Sequence, residues 1–273
     1  MRIFGTPRRA ATGLTREAMT TALAVVMGLC GWLFGPAGGV TATASGTSAG
    51  WTADASVAST APAAEVAAWR ADRVSGQPLP DPGTATADQV AHFFAGLGGA
   101  RRSSIGARYP QIVGNLDGVP LATRFAANAS AASASPRRQL IEYDPRGTGR
   151  VAEVVGDLAT ADRIGILVPG VGNRLDNFDD GYGGVLRRSP AWQARQLYQR
   201  VRADDGTARI AVIAWLGYQP PVGIGREAMR EERARVGAAA LTRFVAGLAG
   251  YRPTATVTLV GHSYGSVVAG LAA

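Results

Sequence analysis

The five residues 261–265 restrict the fold of this chain more than any other segment does. They have the pattern G-x-S-x-G and directly follow the apolar run 255–260, in which β-branched residues dominate. A helix-compatible run, residues 266–273, comes next. This context predicts a nucleophile elbow, which is a sharp turn from a strand into a helix that exposes the central serine, Ser263. An ordinary strand-to-helix turn is the alternative that the same residues allow.

The residues of the elbow have different expected roles. Ser263 is the candidate nucleophile, and Gly261 and Gly265 allow the backbones to approach closely where side chains would clash. The backbone N–H of Tyr264 is expected to point from the N-terminus of the helix towards a developing oxyanion. His262 is interpreted as a residue that supports the elbow, because its side chain is expected to diverge from that of Ser263.

Size and charge set broad limits on the function. The chain has 273 residues, of which 47% are hydrophobic, and this is enough for one sizeable core. Its formal net charge is +8, and the sequence contains arginine but no lysine. The arginines are scattered rather than gathered in a dense run with interleaved aromatic residues. We therefore predict that the protein does not bind nucleic acid.

Residues 1–44 are predicted to be a signal peptide. Basic residues are followed by the apolar run 22–34, and the A-x-A pattern at residues 42–44 indicates cleavage after Ala44. The predicted location is therefore secreted or associated with the cell envelope, with an uncleaved membrane anchor as the alternative. The only cysteine, Cys30, lies in the apolar run, so cleavage would leave no disulfide and no cysteine-bound metal. We expect no cofactor and no metal.

The remaining chain divides by composition into three parts. Residues 45–64 are rich in Ala, Thr and Ser and are predicted to be a flexible linker. Residues 65–138 are a predicted N-terminal helical segment, which includes an amphipathic helix that begins with a capping box at Thr86 and Gln89. Residues 139–273 alternate between predicted strands and helices, and form a partial α/β domain.

The order of these elements predicts the fold class. In chain order, the sequence predicts a hairpin at residues 139–144 and 150–155, a strand at 163–168, a helix at 190–201, a strand at 209–215, a helix at 226–248 and the elbow strand at 255–260. This order is typical of α/β hydrolases, with a mostly parallel sheet covered on both faces and an antiparallel entry hairpin. A small helical segment precedes that sheet, and the C-terminal strands of the fold would lie beyond residue 273.

Several separated stretches carry a family resemblance, and they are residues 108–110, 113–120, 124–128, 167–170, 214–218 and 261–266. With these motifs the chain resembles the actinobacterial α/β-hydrolase family formerly known as a domain of unknown function, DUF1023, from about residue 93 to residue 273. The resemblance implies a secreted or envelope-associated serine hydrolase, whose substrate is a small-molecule or lipid-like ester or amide and whose intermediate is acyl-Ser263. It also implies a second oxyanion donor after the third strand, either the N–H of Val171 or that of Gly170.

The sequence departs from the family after the elbow. The acid and the histidine of the triad follow the serine in such hydrolases, whereas this sequence ends at Ala273. The only histidines are His92 and His262, and we expect neither to be the catalytic base. We therefore expect a fragment or truncated form with little or no turnover, in which the elbow strand is an exposed apolar edge of the sheet.

Two other sets of residues have no predicted chemistry. The turn at residues 115–118 is interpreted as a means of docking the N-terminal helices on the sheet. Asp176, Asp179 and Asp180 are interpreted as the solvated face of a loop, with substrate contact as the alternative. The competing functional hypothesis is a non-catalytic exported binding or scaffold protein with a hydrolase-like fold. The sequence carries no prediction of the oligomeric state.

Overall fold

The computed structural model describes residues 39–42, 61–223 and 231–273. Most of the predicted signal peptide and of the predicted linker lies outside them. No helix in the described part of the chain is both long enough and apolar enough to cross a membrane. The first described element is strand β1, Gly39–Ala42.

Short helices and a small hairpin come after β1. In chain order they are α1 Ala63–Ala71, β2 Arg73–Val74, β3 Gln77–Pro78, α2 Ala87–Ala95, α3 Gly99–Arg108, α4 Pro110–Val113 and α5 Leu121–Ala131. The predicted capping box opens α2, because Gln89 N donates to the Thr86 hydroxyl at 3.2 Å and Thr86 N donates to the Gln89 carboxamide at 2.8 Å. Buried Trp69, Phe94 and Ile112 belong to the apolar cluster of this helical segment.

The main sheet combines parallel and antiparallel strands. Its later strands are β4 Gln139–Asp144, β5 Arg150–Gly156, β6 Arg163–Val168, β7 Ile210–Leu216 and β8 Thr256–Gly261. The spatial order is β1-β8-β6-β7-β5-β4. Strands β7, β6 and β8 run parallel to one another, and the predicted hairpin β4–β5 is antiparallel. This topology brings the C-terminal ends of β6 and β8 to the same edge of the sheet.

Longer helices accompany the central strands. They are α6 Pro190–Asp204, α7 Glu232–Tyr251 and α8 Tyr264–Ala272. Helix α6 begins where the sequence predicts, since Trp192 N donates to the Ser189 hydroxyl at 3.0 Å, and it packs against β7. Helix α7 packs against α8. Buried Ile166, Ile213 and Leu259 belong to the apolar cluster of the sheet and these helices.

Strand β8 is not the exposed edge that the sequence predicts. Strand β1 pairs with it in antiparallel orientation, with Gly39 opposite Val260 and Ala42 opposite Val257, while β6 pairs with its other side. The prediction rested on the absence of later strands and on a chain that begins after Ala44, whereas in the full chain β1 occupies this edge. The predicted cleavage after Ala44 would separate β1 from the rest of the chain.

Two asparagine amides attach the helical segment to β4. Asn115 accepts from Tyr143 N and donates to Tyr143 O, both at 3.0 Å, so its amide pairs with the strand as a neighbouring peptide would. Asn128 is fully buried on α5, and its Nδ2 donates to Leu140 O at 2.9 Å and to Gly114 O at 2.6 Å. These contacts satisfy backbone groups that would otherwise be buried without a partner.

A buried arginine extends this network to α7. Arg124 is 4% exposed, and its guanidinium donates to Gly114 O at 2.9 Å, to Asp117 Oδ1 at 2.7 Å and to Tyr251 Oη at 3.2 Å. Burial opposes its charge, but Tyr251 and Asp117 outweigh that effect and raise the pKa of Arg124. The Tyr251 hydroxyl in turn donates to Val119 O at 2.8 Å. We call these side chains the docking network: Asn115, Asp117, Arg124, Asn128 and Tyr251.

Candidate active site

Ser263 occupies the strained turn that a nucleophile elbow requires. It lies between the last residues of β8, which ends at Gly261, and the first residue of α8, Tyr264, with φ 53° and ψ −127°. Such a backbone conformation is rare for a residue with a side chain, and it costs of order 1–3 kcal/mol. The residue is exposed, whereas Gly261 and Tyr264 are buried. The strand, turn and helix therefore present one hydroxyl group at the edge of the sheet.

The two glycines of the elbow have no room for a side chain. A β-carbon at Gly261 would lie 2.6 Å from Gly265 O and from Ser266 N. A β-carbon at Gly265 would collide with Val168 O and would lie 2.6 Å from Pro169 O. Since these neighbours are backbone atoms, they could not move aside without distorting the turn. The expected reason for glycine at both positions, close backbone approach, agrees with this geometry.

His262 forms backbone hydrogen bonds on both sides of the turn. Its backbone N–H donates to Val168 O at 3.0 Å, and its carbonyl accepts from Gly265 N at 2.9 Å. The imidazole is half-buried, and burial, followed by the charge of Arg188, lowers the pKa of His262. The first of these backbone contacts ties the end of β8 to the end of β6. The other histidine, His92, is exposed on α2.

The loop after β6 contacts the elbow directly through Gly170. A β-carbon at Gly170 would lie 2.6 Å from His262 O, 2.7 Å from Ser263 Cβ and 3.1 Å from Tyr264 N. The structure therefore brings together Gly170, Ser263 and Tyr264, which the sequence placed in one site from two distant segments. Val171 follows Gly170 and is half-buried. The arrangement can place backbone N–H groups from both segments around one reacting carbonyl oxygen.

Two side chains without a predicted role hold this loop. The Tyr218 hydroxyl donates to Pro169 O at 2.5 Å, and Asn173 Nδ2 donates to Gly170 O at 3.0 Å. Burial raises the pKa of Tyr218, so the phenol keeps the proton that it donates. Its ring stacks on Trp215 with the ring centroids 5.9 Å apart. The only sequence signal was that Tyr218 stands in a stretch that carries the resemblance, and Asn173 gave no signal.

The aspartates of the following loop lie at the surface. Both carboxylate oxygens of Asp179 accept from the Arg138 guanidinium at 3.0 Å. Asp176 pairs with Arg174 at 3.0 Å, and Asp180 is exposed. These contacts agree with the interpretation of a solvated loop face. In the described ranges no cluster of three or more His, Cys, Asp or Glu side chains could hold a metal ion.

The chain is similar to a family of α/β hydrolases and to mycobacterial proteins. Residues 144–273 match the family described as "Alpha/beta hydrolase" (Abhydrolase_8). The uncharacterized protein Rv0963c of Mycobacterium tuberculosis is 34% identical over 146 residues, which are 51% of this chain and 53% of that protein. The uncharacterized protein Rv2079 of the same species is 27% identical over 256 residues, covering 69% of this chain and 37% of that protein.

These similarities have a limited span. The chain covers about half the length of Rv0963c and less of Rv2079. No solved structure matches the chain. The matched residues 144–273 nevertheless include strands β5 to β8, the Gly170 loop and the elbow. The mixed sheet, the strained turn at Ser263 and the family match together identify the fold as that of an α/β hydrolase.

Proposed function

We propose that this chain carries the acyl-transfer site of a serine hydrolase of the DUF1023 type, in which Ser263 forms an acyl intermediate from an ester or amide. The exposed serine at φ 53° in the turn after β8 is the observation that carries the proposal. Strain of this kind persists where surrounding structure enforces it, and it is concentrated at functional sites. The contact of Gly170 with Ser263 supplies the second wall of such a site.

The proposed reaction has two balanced steps. Ser263 Oγ attacks the carbonyl carbon and loses its proton to a base, and the oxyanion accepts hydrogen bonds from Tyr264 N–H and from an N–H of the loop after β6. The tetrahedral intermediate collapses, and the alcohol or amine leaves with a proton. Water then attacks the acyl-serine, which releases the carboxylic acid and restores the Ser263 hydroxyl.

Of the groups that this reaction needs, the catalytic base has the least support among these 273 residues. His262 is half-buried with a lowered pKa and supports the turn, and His92 lies on the exposed side of α2. We therefore propose that these 273 residues react with activated acyl or phosphonyl reagents and release an acyl group slowly. Export through the signal peptide 1–44 to the envelope or medium is part of the same proposal, with a small-molecule or lipid-like substrate.

Covalent labelling by a fluorophosphonate probe tests the proposal. We expect labelling of the full chain and of Ser104→Ala, whose exposed serine on α3 is a matched control, and no labelling of Ser263→Ala. Thermal melting should show that all three proteins are folded. Equal labelling of Ser263→Ala would sink the proposal. A folded but unlabelled wild-type chain would favour the second candidate, an exported binding or scaffold protein.

A further inference from the structure

Asn173 is a buried residue of the loop after β6, which also carries the second proposed oxyanion donor. Its side chain is on the stretch between β6 and α6, and the residue is 5% exposed. Its Nδ2 donates to Gly170 O at 3.0 Å and to Val171 O at 3.4 Å. Its Oδ1 accepts no hydrogen bond from the described residues. The carboxamide is therefore held in place by the hydrogen bonds that its Nδ2 donates to the backbone carbonyls of Gly170 and Val171.

The hydrogen bond to Gly170 O fixes the direction of another group. The carbonyl of Gly170 and the N–H of Val171 belong to the same peptide unit, and the described chain contains no cis peptide bond. In a trans peptide the C=O and the N–H point in opposite directions. Because Asn173 draws the carbonyl towards the buried side of the loop, the Val171 N–H must point away from that side. Gly170 itself lies against Ser263 and Tyr264.

The neighbouring peptide unit is turned differently. Pro169 O accepts from the Tyr218 hydroxyl and would lie 2.6 Å from a β-carbon at Gly265, so this carbonyl faces the start of α8. The N–H in the same peptide unit, that of Gly170, consequently points away from α8. Tyr264, the first residue of α8, carries the other proposed donor. Of the two loop N–H groups, only that of Val171 is therefore suited to meet the same oxyanion.

We propose that Asn173 is a positioning residue that turns the Val171 N–H towards the oxyanion formed at Ser263. The proposal rests on the proposed acyl-transfer function of that serine. Asn173 touches no reacting atom and acts through the Gly170–Val171 peptide. Loss of its donor would let this peptide rotate, and a rotated peptide presents a carbonyl oxygen where the oxyanion needs a donor.

The substitution Asn173→Asp tests this role with little change of shape. It replaces the donating NH₂ by a carboxylate oxygen, which repels Gly170 O. We expect the rate of fluorophosphonate labelling at Ser263 to fall about 10²-fold near neutral pH, the loss typical of one oxyanion donor. Asn177→Asp is the matched control, because Asn177 Nδ2 donates to Gly172 O at 2.9 Å in the same loop, and the Gly172–Asn173 peptide unit carries no proposed oxyanion donor. The control should label at the wild-type rate.

The pH dependence separates positioning from a merely structural role. The carboxyl group of the Asn173→Asp variant can itself donate to Gly170 O once acid protonates it. Burial raises the pKa of such a carboxyl, so the ratio of variant to wild-type labelling rates should recover as the pH falls. A ratio that stays equally low at every pH, or a loss equal to that of Asn177→Asp, would overturn the proposal.

A crystal structure of the Asn173→Asp variant near neutral pH decides the matter independently of reactivity. We expect the Gly170–Val171 peptide to be rotated relative to that of the wild-type crystal structure. An unchanged peptide orientation would contradict the positioning role. If the wild-type chain proved unreactive, the proposed function would fail, but this structural comparison would still decide whether Asn173 sets the direction of the Val171 N–H.

Discussion

The docking network and the elbow use polar residues in opposite ways, although the elbow and all of the network except Tyr251 stand in stretches that carry the family resemblance. In the docking network, polar side chains are buried or half-buried and form hydrogen bonds with backbone atoms and with one another, as Arg124 and Asn128 do. In the elbow, glycines and strained backbone keep the Ser263 hydroxyl exposed. A motif residue whose polar groups form hydrogen bonds inside the protein stabilises the fold. A motif residue whose polar group is kept exposed at the cost of backbone strain is accessible to a substrate.

The two regions also contribute differently to the free energy of folding: the interactions of the docking network stabilise the fold, whereas the strained turn at Ser263 destabilises it. A buried charge such as that of Arg124 is tolerated only with its partners, so removing one partner is expensive. The positive φ of Ser263 costs free energy that the surrounding strands and glycines must offset. Substitutions in the first region should therefore reduce stability and leave reactivity in the folded fraction, whereas substitutions in the second should reduce reactivity.

The largest effect on stability is expected for Arg124→Ala. The change leaves Asp117 without its guanidinium partner and removes a donor from two backbone carbonyls, those of Gly114 and Asn115, so the free energy of unfolding should fall by about 3–5 kcal/mol. The matched control is Arg235→Ala, whose exposed ion pair with Glu231 should contribute less than about 1 kcal/mol. Urea denaturation measures both. If Arg124→Ala kept its stability but lost Ser263 labelling, the division between the two regions would break down.

After Ser263 itself, a loss of reactivity as large as that of Asn173→Asp is expected for Gly170→Ala. The new β-carbon meets His262 O and Tyr264 N, which are backbone atoms of the elbow. Displacing them should slow fluorophosphonate labelling about 10²-fold, since misplacement by about 1 Å has effects of that size. Gly250→Ala serves as the control, because nothing lies within 4 Å of its β-carbon. Wild-type labelling by Gly170→Ala would show that the loop does not form a wall of the site.

Removal of residues 1–44 should have an intermediate effect on the elbow region. It deletes β1 and uncovers the outer edge of β8, so a few hydrogen bonds are lost, for a net change of about 1–2 kcal/mol. The uncovered edge also favours association between chains. Light scattering of residues 45–273 at rising concentration should exceed that of the full chain. A truncated protein that remains monomeric and equally stable would mean that β1 does not protect this edge.

The smallest expected effect is a pH dependence from His262. Burial, reinforced by Arg188, lowers its pKa, so the folded protein binds fewer protons there than the unfolded chain does. Stability from this residue is therefore lost as the pH falls from about 6.5 through the lower native pKa. Melting temperatures across that window should decline less steeply for His262→Gln than for the wild type. Identical slopes of melting temperature against pH for the two proteins would contradict the lowered pKa of His262.

The parts of the fold that the sequence predicts are those specified by residues adjacent in the chain. The hairpin β4–β5, strand β6, the N-cap at Ser189 and the capping box of α2 all follow from adjacent residues whose propensities agree with the final structure. The elbow was predictable for the same reason, since the glycines that it needs stand beside the serine.

The remainder depends on contacts between distant segments. The pairing of β1 with β8 joins residues more than two hundred positions apart, and neither segment specifies the other. Tyr218 acts on Pro169 across 49 positions. Asn173 acts on a nearby residue, but its importance comes from burial and from the direction of one carbonyl. Sequence pattern records residue types and spacing, and it does not record which way a peptide faces.

The most direct test of the contrast between the two regions is mass-spectrometric mapping of the acyl group after the full chain has reacted with p-nitrophenyl butyrate. We expect a butyryl group on Ser263 that persists because its hydrolysis is slow, in the wild type and equally in the folded fraction of Arg124→Ala. A folded wild-type protein that carries no acyl group, or carries it on residues other than Ser263, would refute the proposed role of Ser263.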